Sequence, residues 1–237
     1  MTRAMVVAHR GVATGAAENT IEAFTNAIAV GADMIEFDVR RTRDGELIAF
    51  HDAHVNDRPI GSLTCDEIES VKGVRPPLLD EVLKTCAGRI RLDVELKEDG
   101  YVADVMAAIR AAIDVEQVVV TSFLAAVVAQ AKDALPAVKT GLLVGTDAPF
   151  HRVRSHYKQV FPIGVARRAR ADYLAPHFKL ADFGVVRRAA AAGLPCLLWT
   201  VNEDADIRRF AADPRVAAII TDEAAKALRI VAEAARA

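Results

Sequence analysis

Two carboxylates separated by one residue are the first side chains in this sequence that could do chemistry. Glu36 and Asp38 lie in the apolar segment Met34-Ile35-Glu36-Phe37-Asp38-Val39, which has the pattern of a short buried β-strand. Because strand side chains alternate, both carboxylates share one face of it. Buried like charges repel each other and resist desolvation. A cation relieves both effects, and ligands that offer only oxygen favour a hard ion such as Mg²⁺ or Ca²⁺.

Further polar side chains stand at the ends of other apolar runs. His9 and Arg10 follow the first run, His51 follows the short run after Gly45, and Glu95 and Lys97 end the run that starts at residue 90. If these runs are parallel strands of one barrel, their carboxyl ends meet and the side chains converge. Three carboxylates can then hold one ion, and the Arg and Lys beside it favour an anion such as phosphate. The two histidines could serve as an acid and a base.

The order of apolar and amphipathic segments predicts the fold that brings these residues together. After residue 87, predicted strands alternate with helices, and the strands fall at 90–96, 117–121, 138–144, 173–174, 195–201 and 217–221. With the earlier strands, this gives about eight strand–helix units, as in an α/β TIM (β/α)₈ barrel. No Gly-rich phosphate fingerprint follows the first strand, which disfavours a doubly wound sheet. We therefore predict a single domain over residues 1–237, with a short insertion at 53–77 after the second strand.

Several local features follow from the same pattern. Asn19 and Glu22 have the spacing of a capping box for a helix at residues 20–30. Further helices are predicted at residues 151–161 and 181–192, among others. Trp199 ends the predicted seventh strand, where its ring could belong to the core or form a platform for a ligand.

Composition limits the classes of function. The chain has 237 residues, 52% of them hydrophobic, and a net charge of −2, so no overall field attracts nucleic acid or an anionic membrane. Its three cysteines form no CxxC pair, which favours a reducing compartment. The first strand begins too early to leave room for a signal peptide, and no apolar run is long enough for stable membrane insertion. We expect a cytoplasmic protein whose oligomeric state the sequence leaves open.

Taken in order, the polar motifs resemble those of the glycerophosphodiester phosphodiesterase family. The six motifs are His9-Arg10-Gly11, Glu18-Asn19-Thr20, Glu36-x-Asp38, His51-Asp52, Glu95-x-Lys97 and Trp199-Thr200-Val201-Asn202. Each motif alone is weak, but their shared order over nearly the whole chain is a strong signal. The resemblance implies a TIM-barrel enzyme that hydrolyses a glycerophosphodiester to glycerol 3-phosphate and an alcohol.

The resemblance also implies roles for individual residues. Glu36, Asp38 and Glu95 would bind a divalent metal ion, Mg²⁺ or Ca²⁺. His9 and His51 would be the catalytic acid and base, in an order that the sequence leaves open. Arg10 and Lys97 would hold the phosphate. Asn19, near the metal, and Trp199 would also contact the substrate.

Other functions remain open at this stage. The same barrel could carry another metal-dependent phosphodiesterase, a lysophospholipase D-type enzyme, or a non-catalytic phosphodiester-binding site. A metal-dependent lyase acting on an enolate would need a Lys base and carboxylates but not two histidines at strand ends. A binding barrel would be expected to lack one of the ligands or histidines, and the sequence retains all of them. The alcohol could be choline, ethanolamine, glycerol, inositol or a lysolipid.

Overall fold

A closed barrel of eight parallel strands forms the centre of the molecule. The computed structural model describes residues 3–145 and 162–234. The barrel strands are β1 (Met5–His9), β2 (Met34–Arg41), β6 (Arg91–Leu96), β7 (Val118–Ser122), β8 (Lys139–Val144), β9 (Tyr173–Pro176), β10 (Cys196–Leu198) and β11 (Val216–Thr221). Because β1 pairs in parallel with both β2 and β11, the sheet has no open edge between them. The predicted TIM barrel is confirmed, whereas the single-domain organisation of residues 1–237 stays a prediction.

The backbone pairing of the strands brings the polar residues side by side. His9 pairs with Glu36 across β1 and β2, and Glu36 pairs with Asp93 across β2 and β6. Two residues further along the same two strands, Asp38 pairs with Glu95. The carboxylates that are far apart in the sequence are therefore neighbours at the carboxyl-terminal end of the barrel.

Side-chain alternation divides the apolar residues of the barrel strands between two cores. Ile35, Phe37 and Val39 point outward and pack in the large core between strands and helices. A smaller core fills the barrel interior and includes Met34 of the same strand. Glu36 and Asp38 follow Met34 at intervals of two, so they continue the inward row above that core.

Helices surround the barrel. They are α1 (Ile21–Ala29), α2 (Cys65–Lys72), α3 (Leu79–Cys86), α4 (Val102–Ala112), α5 (Ala125–Ala134), α6 (Ile163–Arg168), α7 (Val185–Ala191), α8 (Asp204–Ala211) and α9 (Ala224–Ala234). Short 3₁₀ segments occur at Ile60–Ser62, Val115–Gln117 and Phe178–Phe183. The helix predicted at 151–161 lies outside the described residues.

Two local predictions are wrong in detail. Thr20, and not Asn19, is the N-cap of α1, because its hydroxyl accepts a hydrogen bond from the backbone N–H of Ala23 at 3.2 Å. The helix predicted at 181–192 is shorter, because Gly184 has a left-handed φ of 72° and separates a 3₁₀ segment from α7.

The chain between β2 and α3, which includes the predicted insertion at 53–77, contains its own small elements. β3 (Leu47–Ala49) runs antiparallel to β2, and β4 (His54–Val55) pairs with β5 (Arg58–Pro59) in a short hairpin. α2 follows, and its N-terminus has a complete capping box between Thr64 and Glu67. Across residues 3–145 and 162–234, we find no helix with the length and apolar character needed to span a bilayer.

Candidate active site

The three predicted metal ligands meet at the carboxyl-terminal end of the barrel. Glu36, Asp38 and Glu95, hereafter the acidic cluster, are all buried, and one ligand oxygen from each lies within 4.8 Å of the others. Asp38 is fully shielded from solvent, at 0% exposure. Parallel pairing of β2 and β6 explains this approach, because Asp38 and Glu95 occupy the same step of the two strands.

Lys97 contacts two members of the acidic cluster. Its ammonium nitrogen lies 2.6 Å from Oδ1 of Asp38 and 2.7 Å from Oε1 of Glu95. Burial alone would lower the pKa of Lys97, but the two carboxylates reverse that effect and raise it above its usual value. Lys97 is therefore a fixed positive charge at the cluster.

Asn19 and Arg10 reach the cluster from the loop between β1 and α1. The amide of Asn19 donates a hydrogen bond to Oδ2 of Asp38 at 2.8 Å, and its own N–H donates to the carbonyl of Arg10 at 3.0 Å. Nε of Arg10 is 3.4 Å from Oδ2 of Asp38, while Nη1 donates to Glu18 at 2.8 Å. Both Asn19 and Arg10 have left-handed backbone, with φ of 56° and 55°. Such conformations are uncommon for residues other than glycine and are often found at functional sites.

Gly11 allows this loop to lie close to α1. Its φ is 86°, and a Cβ added there would lie 2.8 Å from the backbone of Ala23. A larger residue would therefore push Arg10 and the loop away from the acidic cluster.

The cations do not balance all of the buried carboxylates. Burial, together with repulsion from Asp38 and Glu95, raises the pKa of Glu36 well above its usual value. Burial also raises the pKa of Glu95, against the opposing effect of Lys97. Only Asp38 has a lowered pKa, because Lys97, Arg10 and Asn19 outweigh the effect of its burial. Beneath them, burial raises the pKa of Asp93 to about 7, although Thr121 donates a hydrogen bond to it at 2.7 Å.

A divalent cation suits this set of donors. The ligands are oxygen atoms only, they are buried, and two of the three carboxyl groups are disfavoured as anions without further positive charge. Glu36, Asp38 and Glu95 therefore fit the predicted metal site.

His9 stands next to the acidic cluster and is oriented by a residue that the sequence reasoning missed. Its Nδ1 lies 2.6 Å from Oδ1 of Asp222, and its Nε2 lies 3.8 Å from Glu36. Because a carboxylate only accepts, Nδ1 carries the proton of this hydrogen bond and Nε2 faces the cluster. The hydrogen bond with His9 lowers the pKa of Asp222. Asn202, a motif residue, donates to the other oxygen of Asp222 at 2.6 Å.

His51 follows β3 and is more exposed than His9. Its side chain is 42% exposed, against 18% for His9, and its Nδ1 lies 3.0 Å from Oδ1 of Asp52. Its carbonyl accepts hydrogen bonds from the guanidinium of Arg40 at 2.8 and 2.9 Å. The backbone at His51 is therefore fixed, while the imidazole faces solvent.

One cleft connects these residues. It has a volume of about 360 Å³, and His9, Arg10, His51, Lys97 and Trp199 line it together with Glu36 and Glu95. We call it the central cleft. Trp199 forms part of its wall, where the indole N–H donates to the carbonyl of Ala175 at 2.8 Å and the ring meets Phe123 edge-on at 5.5 Å between centroids. Asn19 and Asp38 do not line this cleft, but they contact each other at 2.8 Å, and Asp38 contacts Lys97 at 2.6 Å. The structure thus brings together every residue predicted for the site.

The site combines a buried acidic cluster with two cations and two histidines at the catalytic end of a TIM barrel. These groups suit a hydrolase that acts on phosphate esters. The sequence model described as "Glycerophosphoryl diester phosphodiesterase family" matches residues 9–226. The chain belongs to this family. It is accordingly a phosphoric diester hydrolase that acts on glycerophosphodiesters.

Individual relatives agree with this assignment. The chain is 29% identical to a glycerophosphodiester phosphodiesterase from Caldanaerobacter subterraneus subsp. tengcongensis, over 97% of this chain and 98% of that protein. A protein from Silicibacter pomeroyi, provisionally named a glycerophosphoryl diester phosphodiesterase, has a crystal structure with a TM-score of 0.83 to this one. The two are 27% identical over 98% of this chain and 94% of that one. The Oleispira antarctica phosphodiesterase, solved with the product sn-glycerol-3-phosphate, has a TM-score of 0.76 and 20% identity over 97% of each chain, so it shows a similar fold.

Proposed function

We propose that the enzyme hydrolyses a glycerophosphodiester to glycerol 3-phosphate and an alcohol in a metal-dependent reaction that uses His9 and His51. The observation that carries this proposal is the acidic cluster, whose three ligand oxygens lie within 4.8 Å of one another, in a cleft lined by both histidines. The product complex of the Oleispira antarctica phosphodiesterase supports glycerol 3-phosphate as the product.

The residues of the cluster would hold Mg²⁺ or Ca²⁺ through Glu36, Asp38 and Glu95. When bound, the ion supplies positive charge to a phosphoryl oxygen and to the glycerol hydroxyls. Arg10 and Lys97 hold phosphoryl oxygens, and both lie beside the ligand Asp38, at 3.4 and 2.6 Å. Asn19 keeps the carboxylate of Asp38 in place. Trp199 presents its ring to the glycerol carbons.

The two histidines divide the movement of protons between them. Nε2 of His9 removes a proton from the attacking oxygen, which belongs either to water or to the neighbouring glycerol hydroxyl. His51 gives a proton to the oxygen of the alcohol as its bond to phosphorus breaks. If the glycerol hydroxyl attacks first, water then opens the cyclic phosphate, so both routes consume one water and release the same products. Asp222 stabilises the positive charge that forms on His9, at 2.6 Å from Nδ1.

His51 is assigned as the acid because of its position. It lies at the exposed side of the central cleft, where an alcohol can leave, whereas His9 lies deeper and faces Glu36.

The substrate is a small molecule, and we place the enzyme in the cytoplasm.

The test is a panel of glycerophosphodiesters with choline, ethanolamine, glycerol, inositol or a lysolipid as the second group. The enzyme is supplied with Mg²⁺ or Ca²⁺, and both products are quantified. We expect glycerol 3-phosphate and the free alcohol in equal amounts. Release of glycerol and a phosphorylated alcohol would mean that the other ester bond is cleaved, and no release from any member would contradict the proposal.

A further inference from the structure

A second cleft adjoins the central one. It has a volume of about 270 Å³ and lies between the loop at Glu18–Thr20 and the end of the insertion, at Lys72 and residues 74–77. We call it the outer cleft. Arg10 and His51 line both clefts, so the two volumes meet where the proposed phosphate holder and the proposed acid stand.

This arrangement matches the shape of a phosphodiester, which has two arms on one phosphorus. The central cleft contains the acidic cluster and Trp199, where the proposed function places the glycerol arm. The other arm must begin within hydrogen-bonding reach of the acid that protonates its oxygen. If His51 is that acid, the alcohol arm continues past His51 into the outer cleft.

The charges of the outer cleft indicate which alcohol it accepts. The two carboxylates that line it each have a partner, because Glu18 accepts a hydrogen bond from Arg10 at 2.8 Å and Asp52 lies 3.0 Å from Nδ1 of His51. Lys72 and Arg75 also line this cleft. Neither of them forms an ion pair with a carboxylate in the described part of the chain. Lys72 still interacts over a longer distance with Asp52, and Arg75 with Asp66 and Glu69. The cleft nevertheless has a net positive charge, because three cations (Arg10, Lys72 and Arg75) line it against two carboxylates (Glu18 and Asp52).

The same surroundings disfavour a cationic alcohol such as choline. Recognition of a quaternary ammonium group uses the faces of aromatic rings. Phe50 is the aromatic residue of the outer cleft, and its ring already faces the ammonium of Lys72, 5.7 Å from the ring centroid. A cationic group in this cleft would instead meet Lys72 and Arg75 as like charges.

We infer that the outer cleft is the binding site for the alcohol arm and that Lys72 and Arg75 select alcohols that carry a negative charge. This inference rests on the proposed function, because it assumes cleavage next to His51. Selection by Lys72 and Arg75 concerns the charge of the leaving alcohol and can be tested separately from cleavage of the phosphodiester.

Three synthetic sn-glycerol 3-phosphodiesters of equal chain length test it. Their alcohols are 3-hydroxypropanoate, 1-propanol and 3-aminopropanol, which are anionic, neutral and cationic at neutral pH. The measured quantity is the ratio of kcat/KM for the anionic substrate to that for the cationic one. In the double variant K72Q/R75Q this ratio should fall about tenfold from its wild-type value, the scale of two exposed charge interactions. Comparing variant with wild type on each substrate removes the differences in intrinsic reactivity among the alcohols.

A matched double variant, K84Q/R110Q, removes one exposed Lys and one exposed Arg from the outer helices α3 and α4. Its ratio should equal that of the wild type. The wild-type preference should also shrink in about 1 M salt, where the screening length is about 3 Å. A ratio that is unchanged in K72Q/R75Q, while glycerol 3-phosphate is still released, would overturn this inference alone. Failure of the wild type to release glycerol 3-phosphate from any of the three would remove the proposed function and this inference with it.

Discussion

Carboxylates at the two ends of the barrel have pKa values that are shifted in opposite directions. At the amino-terminal end of the strands, Asp172 receives the ammonium of Lys132 at 2.6 Å, the N–H of Thr140 at 2.9 Å and the ammonium of Lys139 at 3.2 Å. These partners outweigh the effect of partial burial, and the pKa of Asp172 is lowered. At the carboxyl-terminal end, Glu36 and Glu95 have raised pKa values because burial and mutual repulsion exceed the help from Lys97.

This difference separates stability from function. Fully partnered carboxylates such as Asp172 stabilise the folded barrel. Carboxylates that lie close together with too little positive charge beside them reduce stability and are typical of functional sites, here the proposed cation site. Substitutions at the two ends should therefore have opposite effects on activity and on stability.

The largest effect is expected in the acidic cluster. Glu36→Gln and Glu95→Gln should each lower kcat about a thousandfold or more, because several kcal/mol of transition-state stabilisation depend on a bound ion. Without metal, neither variant should melt below the wild type, since each substitution removes a buried negative charge from a repulsive group. Steady-state kinetics and thermal melting check both statements. Glu116→Gln, an exposed carboxylate at the opposite end of the barrel, is the matched control, and a similar kcat in all three variants would contradict the prediction.

The next effect concerns the histidines and distinguishes their roles. Both His9→Ala and His51→Ala should lower kcat/KM for a glycerophospho-alcohol by roughly a hundredfold or more, the scale of acid–base catalysis. With nitrophenol as the leaving group, which departs without a proton, His51→Ala should lose much less activity while His9→Ala should lose as much as before. The reverse pattern would exchange the two roles, and equal losses for both variants on both substrates would refute the two-histidine mechanism.

A smaller effect is expected at Asp222, which contacts His9 but not the acidic cluster. Asp222→Asn keeps a hydrogen-bond acceptor but removes the charge that stabilises protonated His9, so kcat should fall about tenfold with little change in KM. Asp204→Asn, at the start of the exposed face of α8, provides a control. A wild-type kcat in Asp222→Asn would show that the 2.6 Å contact is only structural.

The smallest effect on activity is expected at Asp172, together with a clear loss of stability. Asp172→Asn should lower the free energy of unfolding by about 2 kcal/mol at neutral pH, as is typical for the loss of hydrogen bonds to a charged group. Because the pKa of Asp172 is lowered in the folded state, its contribution is present above about pH 4, the ordinary value for Asp, and is lost as the pH falls through the lowered pKa. Denaturant unfolding at several pH values should show the gap between variant and wild type narrowing in acid. A pH-independent gap would assign the loss to packing instead.

Much of this site could be predicted from the sequence because its paired residues lie on the same strand. The spacing of Glu36 and Asp38, and of Glu95 and Lys97, fixes which face they share, and the barrel rule fixes which end they occupy. Asn19 was predicted both as a cap and as a neighbour of the metal site. Its hydrogen bond to Asp38 agrees with the second interpretation, while Thr20 takes the first role.

Asp222 could not be predicted in the same way. It follows an apolar strand, as His9 does, so a local signal was present. Its partner, however, is 213 residues away and becomes a neighbour only because β11 closes the barrel against β1. The outer cleft has the same origin, since the loop before α1 and the end of the insertion form its two walls. Contacts that depend on closure of the fold, and not on the period of one element, leave little trace in the local sequence.

The most direct test of the cation at the acidic cluster is the rate of glycerol 3-phosphate release before and after removal of metal. Protein stripped with a chelator, and then freed of it, should release no glycerol 3-phosphate from a glycerophosphodiester, and added Mg²⁺ or Ca²⁺ should restore the rate. Glu95→Gln should not be restored at the same ion concentration, because it lacks one of the three oxygen ligands. Full activity of the stripped wild type in excess chelator would contradict a catalytic metal held by Glu36, Asp38 and Glu95.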